Sequence, residues 1–204
     1  MCVVALFKYL GSYVSRNGSD LPDVDARIAS ASKAFGALSA CLFRSTSVSL
    51  AAKRTVYEGE ILSILLYGSE CWLVTARILQ RLRVFHAGCL RAMCGVARKD
   101  RLSTFSLAEK LELDSIDNYV YRRQLRWVGH VYRMPFERLP RRMLTSWVAA
   151  KRPAGGQLMT FGRSVGKALD NFNINRTLWH KLAADRVAWR AAIHGSQLDG
   201  NRPT

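Results

Sequence analysis

The stretch RRQLRWVGHVYRM, Arg122 to Met134, carries four arginines and a histidine among tryptophan, valine and tyrosine. Turned about 100° per residue from Tyr121, the side chains of Val120, Tyr121, Leu125, Trp127, Val128, Val131 and Tyr132 fall on one side. Arg122, Arg123, Arg126, His130 and Arg133 fall in an opposing arc of roughly 100°. The stretch is therefore an amphipathic helix with an almost purely cationic polar face. Solvated helix faces usually mix signs, because acids and bases four residues apart support each other. Here no Asp or Glu lies between Asp117 and Glu137. Unpaired like charges repel, so this face suits phosphate groups, which arginine contacts bidentately.

Outward from that helix the same periodicity recurs. Ile28, Ala31, Phe35, Leu38 and Leu42 follow one another at helical spacing after Asp23 and Asp25, which predicts a helix from about residue 23. Further helices are predicted over 49–67, ended by Gly68, over 75–94, ended by Gly95, and over 103–111, 115–134 and 138–150. Val3 to Phe7 and Tyr9 to Ser15 read as short strands, with Asn17-Gly18 as a turn. KRPAGG, Lys151 to Gly156, is the clear break in the chain. Beyond it, 161–172 and 179–193 read as helices around a polar NINR turn, and the last ten residues as a frayed end. The expected fold class is mainly α: a helical bundle with a short N-terminal β-hairpin.

The 204 residues carry 31 Lys and Arg against 15 Asp and Glu, a net charge of +16. Residues 120–204 alone hold 16 basic and 4 acidic side chains, so a polyanion contact is expected to be mainly C-terminal. Five scattered cysteines in a chain of this size predict reduced thiols and no disulfide framework. The apolar run from Ile61 to Val74 is broken by Ser63, Gly68, Ser69 and Glu70, well short of the roughly 20 residues that span a bilayer. No membrane partner is expected.

Catalytic patterns are lacking: there is no GxSxG, HExxH, P-loop or glycine-rich dinucleotide turn. His86 and Cys89 lie three apart with Cys94 following, but the helical wheel puts His86 and Cys89 among Ile78, Leu82, Phe85, Leu90 and Met93. That is the setting of a core histidine, and no metal site is assigned. Asp20, Asp23 and Asp25 are the densest acidic group, and capping of the following helix accounts for them. No catalytic residue is assigned.

Several segments together resemble the C-terminal part of non-LTR (LINE-like) retrotransposon reverse transcriptases. FKYLGSYVSRNGSDLPDVDARI, Phe7 to Ile28, is similar to the passage from the last palm strands into the first thumb helix. LLYGSECW, Leu65 to Trp72, is similar to the L-Y-G-x-E-x-W segment of that family. LRWVGHVYRM, Leu125 to Met134, followed by ERLPRR, resembles its L-R-W-x-G-H-x-x-R-M element, and DRVAWR, Asp185 to Arg190, its final D-R-x-x-W-R. The chain departs from the family in having Gly156, Gln157 and Phe161 where members often carry G-R-P and a tryptophan. It also lacks the [FY]-A-D-D motif whose aspartates hold the catalytic magnesium ions; no two acidic residues are adjacent anywhere.

The resemblance implies a palm-edge, thumb and post-thumb segment: residues 1–22 as a remnant of palm strands, 23–150 as a helical thumb-like domain, and 151–204 as a basic helical segment after the Pro/Gly linker. Such a segment grips template and primer in the parent RNA-directed DNA polymerase without supplying the chemistry. The early Met1 leads to the expectation of a truncated element copy, inactive as a polymerase alone and without a cofactor of its own, magnesium belonging to the complete parent enzyme. Its expected partners are RNA or an RNA–DNA duplex, with the palm and fingers missing, and its expected location is intracellular and nuclear. The expected contacts are Arg122, Arg123, Arg126, His130 and Arg133, with Arg141 and Arg142 as further phosphate ligands. Gly129 is expected to permit close approach at that face, and Tyr67, Trp72 and Trp127 to pack in the core. Two alternatives stay open: part of an active reverse transcriptase whose palm is encoded upstream, or an element remnant with no molecular function.

Overall fold

A computed structural model describes residues 5–145 and 160–194. The chain divides into two compact units, Met1–Tyr119 and Val120–Thr204. It is mainly helical, with one two-stranded antiparallel hairpin at the N-terminal end. No helix of the described residues is long and apolar enough to cross a membrane.

In the first unit, β1 (Leu6–Tyr9) pairs with β2 (Ser12–Ser15) in the register Phe7 to Val14 and Tyr9 to Ser12. The two strands reverse at Leu10-Gly11, and the expected turn at Asn17-Gly18 follows the second, with Gly18 left-handed at φ 68° and its N–H bonded to the Ser15 carbonyl at 3.1 Å. Both Leu10 (φ 45°) and Gly11 (φ 84°) are left-handed, as the tight hairpin turn requires. Leucine is a poor residue for that conformation, and sequence propensity missed it. Partners distant in sequence hold the turn: Tyr67 Oη donates to the Leu10 carbonyl at 3.0 Å, and Arg27 donates to the Gly11 carbonyl. Val3 and Val4, which were expected to belong to the first strand, lie outside the described residues.

Helix α1 (Leu21–Leu38) starts with Pro22 in its first turn, where the missing N–H costs nothing. The three aspartates were expected to cap it, but they act as tertiary cross-links. Asp23 is buried and accepts from the Tyr13 amide and from Trp72 Nε1, each at 2.9 Å. Asp20 accepts from the Leu73 amide at 2.6 Å, and Asp25 pairs with Arg81. Two segments more than forty residues apart in sequence are thereby pinned together. Burial raises the Asp20 pKa, the Leu73 N–H opposes the rise, and the charge of Asp23 adds to it.

The remaining helices of this unit follow their end signals. Ser49 caps α2 (Leu50–Val56), which runs through a wider π-helical turn, Tyr57–Ile61, into α3 (Leu62–Leu65), and the chain then turns at left-handed Gly68. Thr75 caps α4 (Ala76–Cys94), and Gly95 at φ 67° closes it in a Schellman arrangement, with Val96 N–H bonded to the Arg91 carbonyl. Ser103 caps α5 (Thr104–Lys110). The core gathers Val24, Phe43, Tyr57, Ile61, Leu65, Leu82, Leu90 and Met93, with the Phe35 and Phe43 rings stacked 4.2 Å apart. Trp72 is buried as expected. Tyr67 is not: its ring is half exposed beneath the Arg27 guanidinium, with its hydroxyl on the hairpin turn.

The second unit begins inside α6 (Ile116–Tyr132) and continues through α7 (Leu139–Thr145), α8 (Phe161–Asn171), α9 (Trp179–Ala184) and α10 (Arg186–His194). Residues 146–150, the linker 151–156 and the last ten residues lie outside the described residues. The helix expected over 179–193 is broken at Asp185, which leaves helical geometry and accepts from the Val187 amide at 2.7 Å. Its carboxylate thus caps α10, an alternative to continued helix that Asp offers readily.

Candidate nucleic-acid interface

Helix α6 is the centre of the second unit. Val120, Tyr121, Leu125, Val128 and Val131 are buried, as the periodicity requires. Gln124 is also fully buried, accepting from Ser164 Oγ at 3.2 Å, a polar core contact that hydrophobic periodicity cannot register. Trp127, expected in the core, is only half-buried and sits beside His130 with ring centroids 5.7 Å apart. On the wheel Trp127 stands at the edge of the apolar arc next to Arg123, where the helix leaves the core.

Helix α6 also receives Trp189 from α10. Its Nε1 donates to the Leu125 carbonyl at 2.9 Å, and its indole occupies the space above Gly129. A Cβ at Gly129 would lie 2.1 Å from Trp189 Nε1. Gly129 was expected to permit close approach at the cationic face; what approaches it closely is this indole. The residue is buried, and its missing side chain serves packing.

The cationic residues divide between holding the fold and facing solvent. Arg122 Nε donates to the Ile193 carbonyl at 3.2 Å, and its guanidinium lies 5.6 Å from the centre of the Phe172 ring. Arg133 donates to the Ala183 carbonyl at 2.7 Å. These carbonyls belong to the last turns of α10 and α9, where helix carbonyls lack intrahelical partners and the dipole favours a cation. Arg123 is half-buried. Arg126 and His130 are exposed on α6. Arg141, on α7, stacks its guanidinium 3.8 Å from the centre of the Tyr132 ring, whereas Arg142 is exposed.

Two residues join this face that sequence inspection passed over, Arg190 and His194 of α10. His194, in the last turn of α10, has its pKa lowered by partial burial and then by the fields of Arg122, Arg190 and Arg126. His194 is therefore close enough to Arg122 and Arg126 on α6, and to Arg190 on its own helix, for their charges to act on it. That helix is distant in sequence, and the seating of Trp189 and the Arg122 bond to the Ile193 carbonyl bring it there.

Away from this face, His86 is buried with Nδ1 2.8 Å from Tyr57 Oη, and burial pulls its pKa down to about 4. Burial pushes the neighbouring Cys89 thiol up to about 12. The cluster is a neutral, hydrogen-bonded part of the core, as expected for these residues. Among the described residues, no three His, Cys, Asp or Glu side chains gather in a way that would hold a metal ion.

No protein-family model and no solved structure matches the chain. It is similar to a Caenorhabditis elegans protein described as an uncharacterized transposon-derived protein, with 26% identity over 197 residues, covering 91% of this chain and 68% of that protein. That similarity supports a transposable-element origin for the chain.

Proposed function

We propose that the chain is a nucleic-acid-binding segment of a non-LTR retrotransposon reverse transcriptase, holding RNA or an RNA–DNA duplex by its phosphates without polymerase chemistry of its own. The observation that carries this is the exposed pair Arg126 and His130 on an α6 face without a carboxylate between residues 118 and 136, in a unit where 16 basic residues stand against 4 acidic ones. Such a field attracts a polyanion whatever its sequence. The motifs that resemble the family, and the similarity to a transposon-derived protein, are consistent with this reading.

A purely structural role for the cations is favoured by Arg122 and Arg133, both of which hold helix ends. The two readings separate experimentally. Replacing exposed Arg126 and His130 by Gln is expected to weaken binding of a short RNA duplex and to flatten the log–log salt dependence by about one to two units, with the melting temperature unchanged. Replacing Arg122 and Arg133 by Gln is expected to lower stability by roughly 1 kcal/mol each through lost hydrogen bonds to helix ends. If the Arg126/His130 variant binds as tightly as the parent, with the same salt slope, the face is structural only.

A further inference from the structure

The cationic surface of α6 continues onto α10. Two anchors fix that helix: Trp189, seated over Gly129 and bonded to the Leu125 carbonyl, and the Ile193 carbonyl, which accepts from Arg122. Arg190 and His194 each directly follow one of these anchors. They stand four residues apart, hence on one face of α10, and both are exposed. The groups acting on His194 are three arginines: Arg122 and Arg126 from α6, and Arg190 from α10 itself.

Among the described residues of α8, α9 and α10, the other charges are mainly basic or already paired. α9 adds only His180 and Lys181. α10 adds Arg186, while Asp185 before it is engaged in capping. α8, which meets α6 at Ser164 and Gln124, carries Arg163, Lys167 and Asp170, and Asp170 is paired with Arg176. Like charges gathered this way repel until an anion arrives, and a phosphodiester backbone carries anions at regular spacing.

We propose that Arg190 and His194 complete the interface with Arg126, and that nucleic-acid phosphates bind across the two helices with uptake of one solvent proton by His194. The proposal rests on the nucleic-acid reading above. In the free protein partial burial, and then the arginines, disfavour the imidazolium; a phosphate oxygen accepting a hydrogen bond from the ring, and screening the arginines, favours it. Affinity then rises as pH falls, because the complex holds one proton more than its parts.

The test titrates a short fluorescent RNA duplex with the full chain at fixed salt, at about pH 6 and about pH 8. The parent is expected to bind roughly threefold to tenfold more tightly at the lower pH, and His194→Gln to lose most of that gain. Arg190→Gln is expected to weaken binding at both pH values and to reduce the salt slope by about 0.7 to 0.9. Both side chains are exposed, and far-ultraviolet circular dichroism verifies that the variants keep the fold. A pH gain undiminished in His194→Gln, or parental affinity and slope in Arg190→Gln, overturns the proposal. If Arg126→Gln weakens binding while neither α10 variant does, this proposal alone fails; if the parent does not bind at all, the nucleic-acid reading fails with it.

Discussion

His86 shows how one residue type supports opposite readings until its surroundings are known. Beside Cys89 and Cys94 it resembles part of a metal site, yet it lies in the core against Tyr57 and its pKa falls to about 4. The unfolded chain gains a proton at an ordinary histidine near pH 6.5, and the folded chain does not. Stability that is complete above about pH 6.5 is therefore lost progressively as pH falls towards about 4, by roughly 3 kcal/mol from this residue. The urea midpoint of the parent is expected to drop between about pH 7 and about pH 5. His86→Gln, which keeps an amide partner for the Tyr57 hydroxyl, is expected to flatten that dependence; an equal drop in both proteins would show that other groups dominate. Asp23 makes a similar point, because its place at a helix start suggests a cap, whereas its carboxylate spans the Tyr13 amide and the Trp72 indole.

At the level of elements, helix α6 was legible because its apolar residues recur every three or four positions, and most of them are buried. Local stop and start residues were equally informative: Ser49, Thr75, Ser103 and Thr160 each accept a first-turn amide, and Gly68 and Gly95 turn left-handed. What periodicity could not convey is which surface of α6 meets α10. Gly129 and Trp189 make that choice as a matched pair. Gly129→Ala would drive a methyl into the indole, displacing Trp189 from the Leu125 carbonyl, with an expected cost of about 2 kcal/mol or more. Combining it with Trp189→Ala should cost less than the sum of the two single changes, because the clash disappears with the ring. Denaturant midpoints of the four proteins measure this, and strict additivity would mean that Gly129 is not there to seat the tryptophan.

Across the whole molecule, the segments that resemble the reverse-transcriptase family act in pairs within each unit. Leu65 to Trp72 grips the hairpin and α1 through Tyr67 and Trp72, and Leu125 to Met134 receives Trp189 from the last helix. Much of their sequence is thus accounted for by packing, and the exposed cations of the second unit are left as the candidate interface. The hairpin has a different surface: Phe7, Tyr9 and Val14 share one face, each more than half exposed. Apolar faces of this kind promote association. Phe7→Thr with Val14→Thr keeps strand propensity and is expected to reduce self-association in sedimentation velocity at high concentration without lowering the denaturant midpoint; a lowered midpoint would place those side chains in the fold's stabilising contacts. The sequence by itself determined the helical class, most helix ends, the core face of α6 and the charge excess of the second half, since these depend on residues within a turn or two of each other. Tertiary structure alone decided the turn at Leu10-Gly11, the cross-linking aspartates, and the division of the arginines between helix ends and solvent. Each of those depends on a partner tens of residues away, and local spacing carries no information about which distant carbonyl or ring will arrive.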